Sequence, residues 1–123
     1  MKTLRKKIQR INFESSISPF SAVHIGSRLH INPAEIVMVQ ADINYSNIHL
    51  SNGKRLFVST NIQKLEERFL PYFNIVRVHR SFLINTQYLM HIEGSNGFLT
   101  NNKQCLISRR KKINLLNLIQ LNN

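Results

Sequence analysis

Asn74-Ile75-Val76-Arg77-Val78-His79-Arg80-Ser81-Phe82-Leu83-Ile84-Asn85 is the stretch on which the reading of this chain turns. Two short apolar runs, Ile75 to Val78 and Phe82 to Ile84, flank a polar knot of His79, Arg80 and Ser81. Runs this short and rich in Val and Ile favour strand over helix, because branching at Cβ suits a pleated surface and crowds a helical turn. The knot then lies where one strand ends and the next begins. Arg80 offers a planar fork of donors that matches a phosphate or the edge of a guanine. His79 and Ser81 can donate and accept beside it. The same residues also suit a plain turn carrying one solvated arginine.

Composition bounds what the knot can serve. A chain of 123 residues suffices for one domain with a modest core. An apolar content of 42% argues for a globular body rather than disorder. No apolar run approaches the roughly 20 residues that span a bilayer, so membrane insertion is not expected. The basic start, Met1-Lys2-Thr3-Leu4-Arg5-Lys6-Lys7, is not followed by a continuous apolar stretch with a small-residue cleavage site, so no signal peptide is read. A single cysteine, Cys105, cannot form an internal disulfide, and a reducing, cytoplasmic setting is expected.

The net charge of +11 is unevenly placed. Lys2, Arg5, Lys6, Lys7 and Arg10 stand without an acid among the first ten residues, and Arg109, Arg110, Lys111 and Lys112 form one run. The remaining residues are nearly balanced. Clustered cations on a neutral body are the electrostatic footprint of a nucleic-acid binder. For the first block alone, a solubilising tail or an anionic-membrane patch competes with that reading.

Residues 1–20 read as a basic tail or linker, with Leu4, Ile8 and Ile11 at helical spacing and Ser15 to Pro19 as a breaker. The folded domain is expected over residues 21–123. Ala22 to Ile25 and Leu29 to Ile31 predict strands around the turn Gly26-Ser27-Arg28. Asn32-Pro33-Ala34-Glu35 predicts a short helical turn near 33–36. A strand follows over Val37 to Ala41. The loop Asp42-Ile43-Asn44-Tyr45-Ser46 comes next, with a bend or bulge expected near Ser46. Ser51-Asn52-Gly53-Lys54 predicts a hairpin into Arg55 to Ser59. Thr60-Asn61-Ile62-Gln63 matches a capping box, and Ile62, Leu65 and Phe69 predict a helix at about 60–70 that Pro71 ends, with Glu66, Glu67 and Arg68 outward. Strands are expected at Leu89 to Glu93, Phe98 to Thr100 and Gln104 to Ile107. Gly94 to Gly97 and Asn101 to Lys103 are read as turns. Ile113, Leu116 and Ile119 predict a C-terminal helix, and Leu115 and Leu118 give it a second apolar side.

Catalysis and metal binding find little support. His24, His30, His49, His79 and His91 are dispersed without ligand spacing. Cys105 lies inside a strand pattern, where a small apolar role is simplest. No phosphate loop or dinucleotide fingerprint occurs, and six acids give no obvious acid–base pair. No enzyme activity, cofactor or metal is expected.

Arg77-Val78-His79-Arg80-Ser81-Phe82-Leu83-Ile84-Asn85 resembles the signature of the LytTR family, the DNA-binding output domain of many bacterial response regulators. Asp42-Ile43-Asn44-Tyr45 is similar to the family's Asp-Gly-Asn-Tyr loop, with Ile43 where Gly is common. The helix at about 60–70 and the run Ser108-Arg109-Arg110 also match in order. The resemblance covers roughly residues 22–112. It implies a mainly β fold of elongated antiparallel sheets that inserts loops into consecutive major grooves. Carried over, the DNA-contacting candidates are Asn44, Tyr45 and Ser46 in a first loop, and His79, Arg80 and Ser81 in a second. Arg109, Arg110 and Lys111 form the third group. Arg80 and Arg110 are expected on bases, Arg109 and Lys111 on phosphates, and Tyr45 could instead be a core or sheet residue. Arg77, alternating with His79, is expected to solvate an outer strand face.

The resemblance implies double-stranded DNA as partner, on repeated promoter sites, with two copies pairing there. Only the tail precedes the domain, so no phospho-acceptor domain is expected within this chain. It is read as a stand-alone transcription regulator controlled by a separate protein, or as a piece of a longer regulator. Two other readings stay open. An RNA-binding or ribosome-associated small basic protein would need exposed aromatics, for which Tyr88 and Phe98 are weak candidates. A protein-interaction regulator would use the leucine-rich C-terminal helix.

Overall fold

The structure, a computed structural model, describes residues 22–122, with side chains described through residue 117. The tail and its expected helical spacing lie outside the described residues. In chain order the elements are β1 (Val23–Gly26), β2 (Leu29–Ile31), β3 (Ile36–Asp42), β4 (Tyr45–Leu50), β5 (Arg55–Val58), α1 (Ile62–Arg68), β6 (Ile75–His79), β7 (Phe82–Asn85), β8 (Leu89–Glu93), β9 (Asn96–Leu99), β10 (Lys103–Leu106) and α2 (Arg109–Asn122). Short 3₁₀ turns occupy Pro33–Glu35, Thr86–Tyr88 and Thr100–Asn102. The fold is mainly β, as the strand-and-turn pattern predicts.

A five-stranded antiparallel sheet in the order β5-β4-β3-β7-β6 forms the middle of the molecule. One of its faces packs on the β1–β2 hairpin and α1, burying Ile25, Ile31, Ile36, Val39, Ile48, Leu65, Phe69 and Leu83. The other packs on the sheet β10-β9-β8 and on α2, burying Val37, Met38, Val78, Phe82, Ile84, Leu99, Cys105 and Leu115. β3 and β7 therefore supply both cores, which is why Ile36 to Val39 and Phe82 to Ile84 read as unbroken apolar runs rather than alternating ones.

Several local expectations are corrected. α1 is capped by Asn61, whose side chain accepts from Lys64 N at 2.9 Å, and not by Thr60. Thr60 is buried, and its carbonyl accepts from Ser46 Oγ at 2.7 Å. β4 runs straight through Ser46, and the irregularity lies opposite its far end, between Ile36 and Met38 of β3. Asn96 and Gly97 belong to β9 rather than to a turn. A Cβ on Gly97 would come within 2.9 Å of Cys105 Sγ, so this strand position demands the smallest residue. α2 begins at Arg109, earlier than expected, and Leu115 is the core-facing residue among its described side chains, whereas Ile113 is 65% exposed.

Candidate nucleic-acid interface

The strand register brings the three groups to one end of the five-stranded sheet. β3 ends at Asp42 opposite Tyr45, the first residue of β4, and Gln40 faces Phe82, the first residue of β7. The turns Ile43-Asn44 and Arg80-Ser81 thus sit side by side, tied by Ala41 N donating to Ser81 O at 2.9 Å. Ser108 N donates to Val78 O at 2.8 Å, which holds the start of α2 beside the end of β6. Asn44, Arg80, Arg109, Arg110 and Lys111 are all exposed there. The register therefore gathers the three groups at one end of the sheet.

The central turn is braced from behind by Arg77. Its Nε donates to His79 O at 2.8 Å, one terminal nitrogen to Arg80 O at 2.6 Å, and the other to Glu66 Oε1 at 2.6 Å. A planar guanidinium that meets three acceptors fixes the two successive carbonyls that lead into the turn. Arg77 is 20% exposed, so it does not solvate an outer face as expected, and Glu66 is its partner rather than a free outward acid. Arg68 also turns inward, donating to His24 O at 3.2 Å. A register shift between Arg77 and His79 adds a bulge at Val78, a common way to re-aim a strand end. The Arg80 side chain, by contrast, is exposed and makes no hydrogen bond or ion pair to the described residues, so its fork is open to solvent.

His79 Nδ1 accepts from Ser81 N at 3.1 Å, and its ring lies 5.9 Å from that of Phe82. An accepting Nδ1 puts the proton of the neutral ring on Nε2, the nitrogen left for an outside partner. Ser81 is half-buried, and its carbonyl serves the link to Ala41. Ser46 departs from its expected role: it is 0% exposed and its hydroxyl is committed to Thr60 O. Strand parity is the reason, since Ser46, Ile48 and Leu50 share the buried face of β4 while Tyr45 points away. Tyr45 is 44% exposed, with its ring 5.0 Å from Phe57, so it lies on the surface and not in the core.

Arg109, Arg110 and Lys111 occupy the first turn of α2, with no acid among them. Cations there oppose the helix dipole, a local cost that a nearby anion would offset. Ser108 Oγ lies 3.4 Å from Lys111 N, as a capping hydroxyl does. Sequence reasoning passed over Arg28. It is exposed in the β1–β2 turn, and neighbouring Gly26 approaches Val58 and Thr60 at this same end. Its only sequence signal was a cation inside a turn, Gly26-Ser27-Arg28. Among the aromatics weighed for stacking, Tyr88 is tied by its hydroxyl to Ala34 O at 2.6 Å, and Phe98 is stacked on His91.

Burial pushes the Cys105 thiol up to about 11, which keeps it a thiol and a poor nucleophile. Among the described residues no three His, Cys, Asp or Glu side chains gather, and no helix is long and apolar enough to cross a membrane.

Comparison with known proteins places this geometry in a family. No curated protein matches the chain. Among solved structures, it is similar to the LytTr DNA-binding domain of a protein from Bacillus cereus described as a methyl-accepting/DNA response regulator. The identity is 15%, with 80% of this chain and 94% of that one covered at a TM-score of 0.60, a likeness of fold. The family model of the LytTr DNA-binding domain matches residues 26–120, from the β1–β2 turn into α2, and the chain therefore belongs to the LytTr DNA-binding domain family.

Proposed function

We propose that the chain is a sequence-specific transcriptional regulator that reads duplex DNA with loops from its β scaffold placed in successive major grooves. One observation carries this reading: the turns Ile43-Asn44 and Arg80-Ser81 and the basic start of α2 share one end of the sheet, with the Arg80 side chain open and its carbonyl held by Arg77. Arg80 and Arg110 suit guanine edges, and Asn44 suits adenine. Tyr45, His79 and Ser81 supply further polar contacts, and Arg109, Lys111 and Arg28 suit phosphates. Ser46 acts from inside, by fixing β4 against Thr60. The domain begins near residue 21, and the basic residues 1–20 add sequence-independent attraction.

Ile113 and Leu116, 65% and 40% exposed on α2, support pairing of two copies on repeated promoter sites. A separate protein is the natural source of control. The exposed pair Tyr45 and Phe57 favours one rival, a single-stranded RNA stacked on these rings.

Selection from a randomised duplex library at fixed salt, run for the wild type and for Arg80→Ala, is the test. Enrichment of a short motif that the variant loses at one position is the expected result. Equal enrichment by both proteins, or competition by single-stranded RNA stronger than by duplex, would overturn the reading.

A further inference from the structure

Ile43 is an anomaly of the fold. Its φ is +56°, in the left-handed region that branched side chains avoid and that glycine enters freely. It holds the first position of a two-residue hairpin loop, between Asp42 and Tyr45. It belongs to neither core and is 89% exposed, more than any other large apolar side chain among the described residues. Strain of this kind without a packing return points to a task outside the fold.

Its surroundings narrow the task. The loop is bound to the Arg80 turn through Ala41 N and Ser81 O. Asp42, Ile43, Asn44, Tyr45 and Phe57 line an open, mostly apolar hollow of ≈ 240 Å³. On the floor of the major groove the apolar feature is the C5-methyl of thymine. We propose that Ile43 is a specificity-determining residue whose side chain, backed by Tyr45 and Phe57, receives a thymine methyl next to the base read by Asn44. The inference rests on the reading of this end as the DNA-facing surface, and adds a hydrophobic determinant to a set otherwise made of hydrogen-bond donors.

The experiment takes the duplex selected by the wild-type protein and replaces each thymine in turn by uracil, which removes the methyl and nothing else. Affinity is measured for wild type, Ile43→Gly and Ile43→Val, each verified as folded by its thermal melt. Wild type and Ile43→Val should lose about four-fold at one position, the worth of a methyl taken out of water. Ile43→Gly should lose nothing there, while keeping the preference that depends on Arg80. Equal uracil responses of wild type and Ile43→Gly at every position would overturn the role of Ile43 and leave the DNA reading intact. Failure of the wild type to select any duplex would instead remove the DNA reading, and this inference with it.

Discussion

Arg77 and Arg80 flank one turn, yet Arg77 directs its donors back into the chain while Arg80 directs none of its own there. Their alanine variants should therefore separate. Arg77→Ala leaves the carbonyls of His79 and Arg80 and the Glu66 carboxylate without their donor, and should cost about 2–3 kcal/mol in urea unfolding. Arg80→Ala should leave stability within about 0.5 kcal/mol of wild type, as surface changes do, and weaken duplex binding by about 1–3 kcal/mol. Comparable stability losses in the two variants would contradict the division. Ile43→Gly should raise stability by about 1 kcal/mol, since the substitution removes a left-handed branched residue. A lower melting temperature would mean that the loop is not strained. The turn at Arg80 was legible in sequence because strand, knot and strand follow each other directly. The role of Arg77 was not, because its acceptor Glu66 lies on α1, and alternation along a strand says nothing about what packs across it. Ser46 was misplaced for a similar reason: a polar residue beside a loop looks exposed until strand parity is known.

Among the elements, α2 shows how a periodic pattern can be right in kind and misleading in detail. Its spacing predicted a helix, and a helix is present, but among its described side chains the one that reaches the core is Leu115, 5% exposed, rather than Ile113 or Leu116. Only the second sheet, with Leu99, Cys105 and Ile107, decides which side faces inward. Leu115→Ala should cost about 2–4 kcal/mol, measured by urea unfolding, because the cavity would open between α2 and two sheets. A loss below about 1 kcal/mol would show α2 to be detachable. For the same reason a chain cut after Lys112 would unfold its own core and say nothing clear about pairing. The exchange of Ile113 and Leu116 for glutamates keeps Leu115 in place, and a fall in apparent size on a two-site duplex, but not in stability, is the expected result.

At the level of the whole molecule, the two cores on either side of one sheet explain both the legibility of the fold and a weak point in acid. Short strands joined by marked turns could be ordered from sequence, but the layering could not, since runs such as Ile36 to Val39 do not say which face meets which partner. His49 on β4 is partly buried, with Nε2 lacking a hydrogen-bond partner among the described residues. Burial first, then Lys103 and Arg55, hold its pKa below the ordinary 6.5. A base whose pKa is lowered on folding favours the folded state at pH above 6.5, and that contribution is lost as pH falls below it. Unfolding free energy should therefore decline on acidification from about pH 7, and His49→Gln should flatten the decline; an unchanged slope would assign the sensitivity elsewhere. The strand β3 has a further consequence. It is paired on both sides, and from Ile36 to Val39 it is covered on both faces, with Met38 3% and Val39 0% exposed. Its amides from Met38 to Gln40 should exchange with deuterium only when the entire chain opens, whereas β5 and β6 at the sheet margins exchange by local fraying. Since Ile43 follows Gln40 by three residues, protection should collapse within one turn of chain. Added duplex should then slow exchange at the tip and leave the strand beneath it unchanged, a footprint whose inner border is already drawn in the free protein.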